Sequence, residues 1–222
     1  MIEGTARGKR RGLFREFFVV MFGVLVALGL EQLVSDWQEG RRAQATLEAM
    51  HEEFRDFAMV YRLRQVTSPC AVARLDELEA HLGQAGPRPA LEGVGRTPYL
   101  FSSRGGWRGD APELVSRHKD PQAALAYGEA YQGMEEFAQL SALEQSHWAA
   151  LQTLATPESG PDEARRWRLR EHIAGARNTN LLLTAIADQM LERLTAIGID
   201  VDAQPLPVDM RTRPVCQPMR VP

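Results

Sequence analysis

Two stretches of the chain place a carboxylate and an imidazole three residues apart: Glu48 with His51, and Glu144 with His147. On a helix that spacing puts both groups on one face, the arrangement used by bundles that hold a di-iron carboxylate centre, which needs two such motifs and two further inward Glu. Leu47 and Met50 read as inward positions of their helix, which turns Glu48 outward, and no further pair of inward Glu stands out. The expectation is a solvated face and a satisfied histidine at each motif, with no metal and no cofactor. A bundle that binds a metal or small ligand near His51 and His147 is the alternative. Residues 51–55, His-Glu-Glu-Phe-Arg, miss the zinc-protease pattern because Arg55 stands where the second His is required. Neither a Gly-x-Ser-x-Gly turn, a Walker-type loop nor a paired-cysteine zinc pattern occurs, so no enzymatic activity is expected.

The chain has two cysteines, Cys70 and Cys216. In an oxidising compartment such a pair is a disulfide candidate, although spacing alone leaves two unrelated thiols open. A bond here would pin the segment with least other reason to be ordered. If Cys70 stands at the far end of the first helix, direct delivery of Cys216 requires the last helix to run the same way as the first. The long helix before it would then run the opposite way.

These residues need elements to place them, and the first element is unusual. From Phe17 to Leu30 every residue is apolar or Gly, and apolar character resumes at Leu33 and Val34. Counted from 13 to 36 the segment reaches the roughly 20 residues that a bilayer core requires. Phe17, Phe18, Phe22, Gly23, Ala27 and Leu30 are its lipid-facing and packing residues, with Trp37 where an interfacial aromatic belongs. Gly23 and Ala27 form a small-xxx-small pair through which another helix could approach closely. Arg7, Lys9, Arg10, Arg11 and Arg15 precede the run, so the positive-inside rule puts residues 1–12 in the cytoplasm and the rest across the membrane. A cleaved signal peptide is the alternative, with Ala27-Leu28-Gly29 as a poor cleavage site.

The remainder reads as helices. Leu47, Met50, Phe54, Phe57 and Tyr61 follow at spacings of three and four, so the anchor helix is expected to run on to about residue 66. Ser68 before Pro69 should end it, and a short helix carrying Ala71, Leu75, Leu78 and Leu82 should follow. Residues 85–109, rich in Gly and Pro, are a loop whose Tyr99, Leu100, Phe101 and Trp107 should pack on the bundle. Asp110 with Glu113 resembles a capping box, and Asp120-Pro121 marks a second helix start. That long helix should reach about Ala155, bearing Tyr127, Tyr131, Met134 and Phe137, then Leu140, Leu143, Leu151 and Leu154. In the last helix Leu169, Ile173, Ala176, Asn180, Leu183, Ala187, Met190, Leu194 and Ile197 alternate four and three, a helix-packing seam with one polar member that sets register. Gly198 closes it, and residues 198–222 are a Pro-rich extended tail.

The stretch "REFFVVMFGVLVALGLEQLVSDWQEGRRAQATLEAMHEEF" resembles the opening of a family of bacterial single-pass membrane proteins grouped as a domain of unknown function, and "GGWRGDAPELVSRHKDPQAALAYGEAYQGMEEF" is similar to that family's second segment. The resemblance implies a membrane helix followed by a helical periplasmic domain, and no activity or catalytic residue. Lys+Arg 26 against Asp+Glu 29 gives a net charge of -3, without the basic excess of a nucleic-acid binder. The expected protein is all-α, with a transmembrane helix at 13–36, an antiparallel periplasmic bundle at 37–197 and the tail. It is expected at the bacterial inner membrane, in contact with the lipid bilayer, as an interaction or accessory subunit of a membrane complex or homo-oligomer. Its partners are other membrane-protein subunits or further copies of itself, and not nucleic acid.

Overall fold

The computed structural model describes residues 6–84, 91–98, 105–155, 163–203, 205–206 and 213–219, with backbone alone for 6–16. Tyr99, Leu100, Phe101 and the tail residues 207–212 lie outside the described residues. The described chain is all-α: α1 Ala6–Gly83, α2 Ala111–His118, α3 Pro121–Leu151 and α4 Glu163–Ala196, with 3₁₀ turns at Gln152–Ala155 and Pro214–Cys216. It divides into two units, Met1–Leu47 and Glu48–Pro222.

The expected break at Pro69 does not occur, and α1 passes through it. Pro69 has no N–H to offer the Gln65 carbonyl, a defect worth about 3 kcal/mol in an exposed helix interior. Burial outweighs it, because the inward stripe keeps its phase across the proline. Phe54, Phe57 and Tyr61 lead through Arg64 and Thr67 to Ala71, Leu75, Leu78 and Leu82, all buried. The Thr67 hydroxyl also donates back to the Leu63 carbonyl at 2.8 Å, holding the turn before the proline.

In the second unit, side-chain pairs fix the direction of each element. His51 meets Tyr127, Tyr61 meets Phe137 and Arg64 meets Glu144, so residues 48–83 of α1 and α3 run parallel. Gln65 pairs with Asp188, Ser68 with Asn180, and Asp76 with Arg177, so α4 runs against α1. This reverses the expected order, in which α4 was to run with the first helix. The residues between Gly198 and Cys216 can span up to about 60 Å when extended, long enough for Cys216 to reach Cys70 whichever way α4 runs. Residues 91–98 run back along the bundle, Leu91 meeting Leu154, Val94 meeting Arg74 and Thr97 meeting Glu144, with Leu91, Val94 and Thr97 buried.

Local signals account for most helix ends. The Asp120 carboxylate accepts from the Ala123 N–H at 2.9 Å and caps α3. Asp110 makes no side-chain cap, so the expected capping box is absent and Pro112 alone marks the start of α2. Gly198, at φ +86°, closes α4 as the Ile199 N–H reaches back to the Leu194 carbonyl, the six-to-one bond of a Schellman stop. α3 gives way at Leu151 to a 3₁₀ turn that carries the chain to Ala155.

Candidate functional site

In the first unit, one helix is long and apolar enough to cross a membrane, the only such helix among the described residues, and none of its apolar window is buried. Phe17, Phe18, Leu30 and Trp37 are exposed, and Phe22 is 70% exposed. No atom approaches within 4 Å of a Cβ placed on Gly23, so the Gly23 and Ala27 face is open to a neighbouring helix. Arg41 lies over the Trp37 ring, 5.0 Å from its centroid, a pairing suited to a water–lipid boundary where ring and cation both find partners.

At mid-height of the second unit a polar cluster sits inside the core. Arg64 forks onto Glu144 with two bonds of 2.7 Å, and donates a third, of 2.6 Å, to the Asn180 Oδ1. The Thr97 hydroxyl donates to Glu144 at 2.9 Å, and the Asn180 amide donates to the Ser68 hydroxyl at 2.9 Å. Arg64 is 6%, Glu144 1% and Asn180 3% exposed, so the two charges are removed from water and paired with each other, while the Arg64 Nε is buried without a hydrogen-bond partner. The cluster joins α1, the 91–98 segment, α3 and α4 at one level. Glu144 is therefore not on a solvated face. The inward stripe of α3 runs from Phe137 through Glu144 and Trp148 to Leu151, which leaves Leu143, expected on the apolar face, 46% exposed. In α4 every seam residue from Leu169 to Leu194 is buried, Asn180 included. Ile197 follows the end of the helix and is half-buried.

The tail is held by a second device. Cys70 and Cys216 stand at disulfide distance, S–S 2.09 Å, across a sequence separation of 146. Beside them Arg74 is buried and spends its guanidinium on backbone carbonyls: Val94 at 2.6 Å, Pro214 at 3.2 Å, and Gln217. Glu77 pairs with its Nε at 3.0 Å. Burial pulls the Arg74 pKa down from its ordinary value and Glu77 opposes that shift. Val215 drops into the core formed by Ala71, Leu75, Leu91, Val94 and Trp148. Gly95, at φ +69°, lies back to back with the tail, since a Cβ there would stand 2.9 Å from the Pro214 carbonyl oxygen.

The two Glu-x-x-His motifs do not converge. His51 bonds the Tyr127 hydroxyl at 2.5 Å, and from 127 to 147 a helix advances about 30 Å, which separates it from His147. A single ligand site near both histidines is thus ruled out by the fold. In the same turn as the first motif, Glu53 accepts from the Gly105 N–H at 2.7 Å and the Tyr131 hydroxyl at 2.7 Å. That clamps the loop, with Trp107 stacked on Tyr131. His147 instead faces His172 of α4, Nδ1 to Nδ1 at 3.2 Å. Among the described residues no group of three or more His, Cys, Asp or Glu could hold a metal ion.

Sequence reading missed Arg64, Thr97, Arg74 and His172. Arg64 and Glu144 were visible as polar residues at inward positions of otherwise apolar stripes, as Asn180 was. No protein-family model, curated protein or solved structure matches the chain.

Proposed function

We propose that this is a single-pass membrane protein whose helical second unit lies in the periplasm and serves as an interaction or accessory subunit, in a larger membrane complex or among copies of itself. The observation that carries this reading is the fully unburied apolar segment of α1, which needs lipid or protein around it. The Cys70–Cys216 pair supports an oxidising compartment, and the basic residues before the span support a cytoplasmic N-terminus. Membership in the domain-of-unknown-function family is part of the same proposal, as is a non-enzymatic role. The clustered charges of the second unit are committed to holding elements together: Arg64 and Glu144 to the core, Arg74 to the tail, Glu53 to the loop.

Topology and partnership are separately testable. A phosphatase that folds only when exported, fused after Pro222, should be active, and the same enzyme fused before Met1 should be inactive. Cross-linking in the native membrane should then yield a covalent adduct containing this chain. An inactive C-terminal fusion would overturn the topology, and a chain that cross-links to nothing would overturn the interaction role.

A further inference from the structure

The pairing of His147 with His172 brings the same ring nitrogen of two histidines on different helices together. Both rings present Nδ1, and the two nitrogens are 3.2 Å apart. A tetrahedral zinc with bonds of about 2.0–2.1 Å holds two imidazole nitrogens about 3.3 Å apart, so the pair already has the bite of a two-imidazole chelate. We propose that His147 and His172 form a binding site for a borderline divalent transition cation of the zinc class, with solvent completing the coordination.

Three features favour the cation. The His147 ring packs directly on the α4 backbone at Gly175, where a Cβ would collide with it, which limits the ordering that binding must supply. Both rings are only half-buried, which leaves the outer coordination positions to water. Burial first, and His172 second, hold the His147 pKa below its ordinary value against an opposing effect of Glu144, so the neutral, ligating form prevails at neutral pH. Glu144 is not a third ligand, since Arg64 and Thr97 occupy its carboxylate. With two protein ligands the site would leave two tetrahedral positions open, unlike a closed structural site. The inference is independent of the membrane assignment.

Zinc titration calorimetry on the full chain in detergent tests it. Wild type should bind one zinc, and His147→Gln or His172→Gln should each weaken binding by roughly tenfold or more, because each removes one of two protein ligands. His118→Gln, an exposed histidine elsewhere, should change nothing. Nitrogen NMR of wild type provides a readout that does not depend on any variant folding: zinc should shift the Nδ1 resonances of both rings. No binding at millimolar zinc, binding undiminished in His172→Gln, or Nδ1 resonances that do not move would each overturn the site.

Discussion

The side chains with greatest consequence are those that sequence patterning treats as interruptions. Arg64, Glu144 and Asn180 each occupy an inward position of an apolar stripe, and the three meet because α1, α3 and α4 bring those positions to one level. Removing one member leaves a buried partner uncompensated, so Glu144→Gln should cost about 3–5 kcal/mol, read as a lowered denaturation midpoint of the full chain in detergent. Arg64→Met with Glu144→Leu should recover much of that loss, though not all, because the Asn180 Oδ1 and the Thr97 hydroxyl then each lose one partner. If the single substitution is silent, the ion pair is not buried as described. Two histidines supply a pH dependence. Burial, with Arg55 and Lys119 nearby, lowers the pKa of His51, and burial with His172 lowers that of His147. The folded chain then takes up protons later than the unfolded one, so stability should fall as pH drops below about 6.5 and level off once the folded rings protonate. A melting temperature that decreases from about pH 7.5 to about pH 5.5, with a slope flattened by His51→Gln and His147→Gln together, is the expected outcome. A rise on acidification would reverse the assignment.

At the scale of elements, helix content and most boundaries were legible because they depend on neighbours in sequence. The α4 seam and the Asp120 cap needed only spacing and residue type. The continuity of α1 is legible in the phase of its stripe across Pro69: positions 61, 64, 67, 71 and 75 never leave one face. What local chemistry could not give was direction. Whether α4 runs with or against α1 is settled by Arg177 meeting Asp76 and Gln65 meeting Asp188, contacts between residues more than a hundred positions apart. Delivery of Cys216 to Cys70 by a long tail was equally beyond local reasoning. Continuity predicts that Pro69→Ala, which restores a helical N–H at an exposed position, raises stability by about 1–2 kcal/mol after allowing for the entropy that Pro removes from the unfolded chain. A destabilised Pro69→Ala would indicate a helix broken at that residue. By contrast Gly95→Ala should loosen the tail, because it demands left-handed backbone from alanine and drives a Cβ against Pro214. Faster proteolysis after Gly198 at unchanged helix content would be its signature.

For the whole molecule, the bond between Cys70 and Cys216 and the unburied apolar helix carry the account together. Closing a loop of sequence separation 146 is worth up to about 5 kcal/mol in the chain-entropy description, so reduction or Cys216→Ser should lower stability by an amount approaching that figure. Protein taken from its native membrane and alkylated before reduction should carry no alkyl group at either cysteine. The interaction role is tested most directly by native mass measurement of the protein extracted from its own membrane in mild detergent. The account predicts a mass greater than that of one chain, made up by further copies or by a co-purifying membrane subunit. A lone chain, folded, with its disulfide intact and no companion, would contradict it.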